Sequence, residues 1–217
     1  ILDEGELSLV ARLNLIHSAS RSIDLQTYIF DTDDSARMII DALLDAARRG
    51  VRVRVLIDQL SAISDVQMLA ALSGAHANFE LRIYNPAFGK AKLNYFDYAG
   101  SVLCCFRRFN QRMHTKLLLV DDLYTLLSSA NINVRSMHGD SELGIAQPNP
   151  DLARAMREEL WGAHAYKLAE TTEENFKLWN QKMDKNWKQQ RNGESLTTHL
   201  LRFWDVTTPY SPNFTVD

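Results

Sequence analysis

The stretch MHTKLLLVDDLYTLLSSANINVRS, residues 113–136, contains two apolar runs with polar residues at their ends. The runs 117–120 and 124–127 each have the length of a buried strand, and the pair Asp121-Asp122 between them is typical of a tight turn. We therefore predict a β-hairpin. Because a hairpin returns the chain to the end at which it started, the residues near 114 and near 131 should lie close together.

Three polar side chains of this hairpin have complementary chemistry. His114 and Lys116 are two residues apart and share one face of the first strand, while Asn131 follows the second strand. An imidazole, an ammonium group and an amide can supply a nucleophile, a fixed positive charge and a neutral donor for the oxygens of a phosphodiester. A histidine two residues before a lysine is nevertheless common, and alone it indicates only a half-exposed strand pair.

The spacing of the polar residues is more specific than any one of them. In chain order they are His114, Lys116, Asp121, Ser128, Ser129, Asn131 and Glu142. This spacing closely resembles the HKD motif of the phospholipase D superfamily, H-x-K-x4-D-x6-G-[SGT]-x-N, with an acidic residue on the next strand. Residues 21–59 are similar to the opening strand-helix-strand of bacterial cardiolipin synthases, and residues 131–147 to the segment after their second motif. Together the similar segments lie within residues 3–162.

The resemblance implies an α/β fold with a mixed β-sheet flanked by helices on both faces. It also implies a phosphodiesterase or phosphatidyltransferase that acts on phospholipids through a phosphohistidine. His114 would attack phosphorus, and Lys116 and Asn131 would hold the phosphate oxygens. Ser129 would add a hydroxyl contact, and Glu142 would accept a hydrogen bond from the second ring nitrogen of His114. The superfamily chemistry needs no metal or cofactor, and the sequence contains no separate metal-ligand cluster.

Three further residues are weaker candidates. Asp121 belongs to the motif, but it lies at the far end of the strand from His114, where a structural carboxylate is expected. Arg112 places a cation just before the motif and is a candidate for contacting substrate. His138 lies in the loop that leads to Glu142 and is a candidate pocket residue, although a histidine in a loop more often has no such role.

The chain departs from the superfamily pattern in two ways. Ser128 stands where glycine is usual, so a positive φ or a close backbone approach there would be strained. In addition, the chain has one motif, whereas the mechanism uses two histidines, one as nucleophile and one as general acid and base. One motif per chain implies a homodimer with the site across a twofold axis. A two-motif protein joined near Asp122, with its middle missing, would also explain the pattern.

Two other functions stay open at this stage. One is a metal-independent nuclease, favoured by the single motif and by Arg107, Arg108 and Arg112. The formal net charge of −3 opposes it, because affinity for nucleic acid depends on cation contacts to phosphate. The other is an inactive remnant of a two-motif protein. The resemblance is to bacterial proteins, leaves a peripheral membrane contact open, and gives no localisation.

Composition and patterning predict the domain organisation. The 217 residues, 46% of them hydrophobic, suit an ordinary globular core, and the adjacent Cys104 and Cys105 are expected to be reduced thiols. We predict a catalytic domain over residues 1–164 and a helical, Trp-rich appendage over residues 165–217. The predicted helices are 5–19, 35–49, 64–73, 150–163 and a pair within 171–204. The predicted strands outside the hairpin are 22–30, 51–58 and 79–84, and residues 86–112 are expected to be irregular.

Overall fold

A six-stranded sheet is the centre of the molecule. The computed structural model describes residues 1–58, 71–72, 74–84, 114–165 and 172–194. The strand order is β3-β2-β1-β4-β5-β6. The strands are β1 (Ser22–Thr27), β2 (Arg52–Asp58), β3 (Phe79–Tyr84), β4 (Lys116–Val120), β5 (Tyr124–Ser128) and β6 (Gly144–Pro148). β1, β2 and β3 run parallel, whereas β4 pairs antiparallel with both β1 and β5, and β5 pairs antiparallel with β6. The sheet is therefore mixed, as predicted.

Helices cover both faces of this sheet. They are α1 (Gly5–Ser18), α2 (Asp34–Arg48), α3 (Pro150–Ala165) and α4 (Thr172–Arg191), together with one π-helical turn, Arg135–Gly139. Leu118 and Val120 of β4 point into the larger core, which includes buried residues of α1 and α2. Leu117 and Leu119 point to the opposite face and pack with Ala153 of α3. This alternation is the period of two expected of a strand, and it confirms the predicted arrangement of helices.

The strand-helix-strand unit predicted at the N-terminus is also present. Asp33 caps α2, because its carboxylate accepts a hydrogen bond of 3.0 Å from the Ala36 N–H. Gly50, at φ +94°, lets the chain turn from α2 into β2. One boundary was wrong, since β1 ends at Thr27 rather than at residue 30. The Thr27 hydroxyl donates to the Ile29 carbonyl at 2.9 Å, and this local bond takes the chain out of the sheet.

The predicted hairpin is confirmed. Val120 lies opposite Tyr124 in the antiparallel register of β4 and β5. The Val120 carbonyl accepts a hydrogen bond of 3.0 Å from the Leu123 N–H, which closes the turn. Asp121 and Asp122 have φ of 57° and 54°, so both central residues of this turn are in the left-handed region. Aspartate tolerates this left-handed conformation better than most residues, so the acidic pair suits the turn.

Several predictions lie partly or wholly outside the described residues. They concern the segment 86–112 with Cys104, Cys105 and Arg112, most of the helix near 64–73, and the second helix of the pair within 171–204. α3 and α4 confirm the remaining helices of the C-terminal third. The division between residues 164 and 165 stays a prediction. Across the described ranges, no helix has the length and apolar character needed to cross a bilayer.

Candidate active site

His114 and Lys116 form a compact cluster with Tyr28 at the start of β4. Lys116 is buried, at 5% exposure, and its Nζ lies 3.3 Å from each ring nitrogen of His114. The same ammonium group donates to the His114 carbonyl at 3.0 Å and lies 5.4 Å from the centre of the Tyr28 ring. The rings of Tyr28 and His114 are 4.7 Å apart, at 52° to each other. The imidazole is thus held between an aromatic ring and a fixed cation.

This environment favours the neutral form of the imidazole. Desolvation, and after it the charge of Lys116, lowers the pKa of His114 below its ordinary value of 6.5. At neutral pH the ring therefore keeps a lone pair with which it can attack an electrophile. Burial also lowers the pKa of Lys116, and the Glu142 carboxylate partly opposes that effect. The cluster therefore combines a neutral nucleophile with an adjacent cation.

Asn131 lies in the loop that follows β5, at the same end of the hairpin. Lys116 is opposite Ser128 in the β4–β5 register, so the loop 129–131 begins beside the lysine. The Asn131 Oδ1 accepts a long hydrogen bond of 3.4 Å from the Ile29 N–H. This orientation makes the amide NH2 the end that can donate to another group. The structure therefore brings Lys116 and Asn131 to one end of the sheet, as the motif predicted.

Glu142 lies just before β6 and interacts with the loop rather than with the imidazole. Its carboxylate accepts a hydrogen bond of 2.5 Å from the Ser129 hydroxyl. The Ser129 hydroxyl also accepts from the Leu143 N–H at 2.9 Å. Within the described residues no hydrogen bond joins Glu142 to His114, so that predicted contact is not formed here. The Ser129 hydroxyl predicted to contact substrate is likewise bonded within the protein.

Two residues near the candidate site, Tyr28 and Arg12, were not predicted from the sequence. Arg12 of α1 is 2% exposed, and its guanidinium donates to the Ala130 carbonyl at 3.1 Å. Burial lowers the pKa of Arg12 to about 10, against the opposing effect of Glu142, so the guanidinium is charged at neutral pH. A signal for Arg12 was available, because it lies three residues after Leu9 and four before Ile16, both of which are buried. Tyr28 follows β1 outside any motif, so the sequence contained no such signal for it.

Asp121 lies at the opposite end of β4 from His114. Its carboxylate accepts hydrogen bonds from the backbone N–H groups of Ser20, Arg21 and Ser22 at 2.9, 2.7 and 2.7 Å. Burial alone would raise the pKa of Asp121, but these bonds lower it below its ordinary value. The structure therefore separates Asp121 from the candidate catalytic group and makes it an anchor between the hairpin turn and the start of β1.

Of the two remaining weak candidates, His138 lies apart from the His114–Lys116 cluster and Arg112 is not among the described residues. His138 is in the π-helical turn, where its Nδ1 is 3.1 Å from a carboxylate oxygen of Glu6 in α1. Among the described residues, no contact joins His138 to His114, Lys116 or Asn131. Arg112 lies outside the described residues.

Ser128 does not have a positive φ. In the described part of the chain the non-glycine residues with positive φ are Asp121 and Asp122, so one of the two expected causes of strain at Ser128 is absent, and the close backbone approach stays a prediction. The Ser128 hydroxyl accepts a hydrogen bond of 3.0 Å from the Ala130 N–H. Gly144 lies opposite Ser128 in β6, where a Cβ would come within 3.3 Å of the serine Cβ and Oγ. The space for the serine is provided by a glycine on the neighbouring strand.

Comparison with known proteins identifies the family. The sequence model described as "Cardiolipin synthase, PLD-like domain" matches residues 13–163. The chain belongs to this family. It is 36% identical over 146 residues to cardiolipin synthase C of Escherichia coli, an alignment that covers 67% of this chain and 28% of that protein. The resemblance to the phospholipase D superfamily is therefore confirmed, and the chain spans about a quarter of the length of the curated relatives it matches.

Solved structures of the superfamily share the fold. One is a phospholipase D family member, Nuc, from Salmonella typhimurium, with a TM-score of 0.50 and 24% identity. The match covers 69% of this chain and 82% of that one. A second is NucT from Helicobacter pylori, with a TM-score of 0.53, 18% identity, and coverage of 71% and 86%. At these identities the likeness concerns the mixed sheet and its helices.

The described residues hold no group of three or more histidine, cysteine or acidic side chains that could bind a metal ion. What the cluster offers chemically is a nucleophile, two buried cations and an amide donor at one end of the sheet. Such a set can bind an anion and attack an electrophilic centre within it.

Proposed function

We propose that this chain provides one motif of a phosphodiester-cleaving site that acts on phospholipids, by hydrolysis or by phosphatidyl transfer. The observation that carries the proposal is the placement of His114, with a lowered pKa, beside Lys116 and at the same end of the hairpin as Asn131. Membership of the cardiolipin synthase family, and 36% identity to cardiolipin synthase C of Escherichia coli, support a phospholipid substrate.

The proposed reaction has two displacements at phosphorus. The neutral imidazole of His114 attacks, a P–N bond forms, and the P–O bond to the departing alcohol breaks as that alcohol takes a proton from a second histidine. The second histidine then removes a proton from water or from an acceptor alcohol, which attacks phosphorus and breaks the P–N bond. Lys116 and the Asn131 amide stabilise the charge on the phosphoryl oxygens in both steps.

The second histidine comes, in this proposal, from a second copy of the chain. An apolar surface lies on and next to β5 and β6, at the end of the hairpin that carries Lys116 but on the opposite face of the sheet. It consists of Leu127, Leu143 and Ile145, which are 37%, 59% and 52% exposed. Leu127 and Ile145 face each other across the β5–β6 register, and Leu143 follows Glu142 directly. A twofold contact over this surface would place two copies of His114 near one phosphate.

Cleavage of nucleic acid is the alternative, because the same phosphohistidine can form with a nucleotide alcohol as leaving group. The net charge of −3 opposes it. An inactive protein is the third case. The three cases differ in the substrate that the purified chain cleaves: phospholipid, nucleic acid or neither.

The test offers the purified protein vesicles of labelled phosphatidylglycerol and, separately, a plasmid, each with and without a chelator. We expect lipid turnover, chelator resistance and a trapped phosphohistidine. His114→Ala should lower the rate by at least about 10³-fold, whereas His17→Ala, at the far end of α1, should not. Cleavage of plasmid without lipid turnover would favour the nuclease, and label that persists in H114A would exclude His114 as nucleophile.

A further inference from the structure

Arg12 is a buried charge that the proposed reaction does not use directly. It lies on the face of α1 that carries Leu9 and Ile16 into the core. Burying an ion is costly unless it is paired and hydrogen-bonded, so a guanidinium at this position needs partners. Its partners lie beside the candidate site. One nitrogen donates to the Ser8 carbonyl at 3.2 Å, and the other donates to the Ala130 carbonyl at 3.1 Å.

Hydrogen bonds hold both of the peptide groups that flank the Ala130 Cα. The Ala130 N–H donates to the Ser128 hydroxyl at 3.0 Å, and its carbonyl accepts from Arg12 at 3.1 Å. Ala130 itself is fully buried and lies between Ser129 and Asn131. The Ala130 carbonyl belongs to the peptide group that joins Ala130 to Asn131, so its bond to Arg12 orients the backbone at Asn131. The position of the Asn131 amide therefore depends on a contact made from α1.

Arg12 also shares surroundings with the rest of the cluster. Arg12, Lys116 and Ala130 surround one gap between α1 and the sheet that is too small to hold a water molecule. The Glu142 carboxylate interacts electrostatically with both cations. That carboxylate also holds the Ser129 hydroxyl, one residue before Ala130. The loop 128–131 is thus fixed by an arginine on one side and by a glutamate on the other.

We propose that Arg12 is a positioning residue, which holds the Ala130 carbonyl so that the Asn131 amide points at the phosphate held by Lys116. The inference rests on the proposed function, because the proposed function identifies the phosphate to which the Asn131 amide donates. A small displacement of a group that contacts the transition state is expected to lower the rate by about 10²-fold, even when the substituted residue does not touch substrate. Arg12 would act through Asn131 alone, and that dependence can be measured.

The experiment compares Arg12→Met, which keeps the apolar stem, with Arg12→Lys, which keeps a charge on a shorter donor. Arg21→Met is the matched control, because the Arg21 guanidinium donates to a backbone carbonyl, that of Asp121, at the other end of the same hairpin. The readouts are kcat on phospholipid vesicles and the affinity for inorganic phosphate by calorimetry. Each substitution is also made in an Asn131→Ala background, to test whether the two residues act as one unit.

We expect R12M to lower kcat by about 10²-fold and to weaken phosphate binding by about 10-fold. R12K should recover part of the kcat and part of the phosphate affinity. R21M should change neither kcat nor phosphate affinity. In the N131A background, R12M should cause almost no further loss of kcat or of phosphate affinity. Wild-type kcat and phosphate affinity in R12M, or effects that multiply fully with those of N131A, would overturn the inference. If R12M does not fold, the R12K variant and the R12K/N131A double variant test the inference by the same criteria.

The two proposals fail in different ways. Absence of phospholipid turnover by the wild-type protein would overturn the proposed function, while the phosphate affinities of the wild-type protein and its variants would still decide the role of Arg12. Absence of phosphate binding by the wild-type protein would overturn both.

Discussion

At the scale of single residues, desolvation and, to a smaller extent, the cation beside His114 set the pH at which the imidazole becomes neutral. Desolvation and the Lys116 charge both lower the pKa of His114, so its neutral form persists below pH 6.5. Lys116→Met removes the cation, which makes protonation easier, and we expect the pKa of His114 to rise. The rise will be partial, because desolvation, the larger cause, remains. NMR titration of the His114 ring protons measures it without requiring activity.

The control for this titration is Lys185→Met, which removes an exposed lysine of α4. The His114 curve should be the same in K185M as in the wild-type protein. An unchanged curve in K116M, or one displaced to lower pH, would contradict the assigned interaction.

The serine at position 128 has a measurable effect on stability. Ser128→Ala removes the acceptor of the buried Ala130 N–H, and we expect a loss of about 1 kcal/mol in the free energy of unfolding. Ser128→Gly, which restores the residue usual in the superfamily, should lose slightly more, because glycine in a strand adds about 0.5–1 kcal/mol of conformational entropy cost. Urea unfolding measures both, with Ser18→Ala at an exposed hydroxyl as the control. A glycine variant more stable than the wild-type protein would show that the serine is strained.

At the scale of elements, β1 and β2 are joined through a buried ion pair. The Arg54 guanidinium donates to Asp24 at 2.5 and 2.9 Å, and both side chains are almost fully buried. Burial raises the pKa of Asp24 to about 6, against the opposing effect of Arg54. Because the folded pKa lies above the ordinary 3.8, the stability from this carboxyl is present at low pH and is lost as the pH rises through about 6.

Arg54→Met should make this pH dependence steeper. The unpaired carboxylate then has an even higher pKa, so we expect a loss of about 3–5 kcal/mol in unfolding free energy at pH 8 and a smaller loss at pH 5. Urea unfolding at the two pH values measures it. Adding Asp24→Asn should remove the difference between them, and Arg48→Met, which breaks an exposed pair with Asp45, should show none. Equal losses for R54M at both pH values would contradict the raised pKa.

The elements differ in how far their sequence predicts them. The hairpin was predictable because two apolar runs flank an Asp-Asp pair that tolerates positive φ. The end of β1 was not, because the Thr27 hydroxyl competes with the sheet and residues 28–29 leave it despite their high strand propensity, while Phe30 keeps one isolated bridge to Ile132. His114 and Lys116 are in contact, and Asn131 lies at the same end of the hairpin, as the motif predicted. The contacts of Tyr28 and Arg12 depend on packing between distant elements. Helical spacing indicates that Arg12 faces the core, but it does not indicate which groups Arg12 contacts.

At the scale of the whole molecule, one motif and an exposed apolar surface predict dependence on a second copy. Ile145→Lys places a charge in the surface formed by Leu127, Leu143 and Ile145, and we expect it to convert a dimer to a monomer and to lower turnover at least about 10²-fold, the contribution of general acid-base catalysis. Met38→Lys, at an equally exposed apolar residue of α2, should do neither. Sedimentation and specific activity across protein concentration measure both effects. In the wild-type protein the specific activity should fall on dilution as the second histidine dissociates. An I145K protein that stays dimeric but no longer binds vesicles would show that this surface binds lipid. An I145K protein with unchanged oligomeric state and unchanged turnover would contradict the proposal that a second copy docks on this surface and contributes to the reaction.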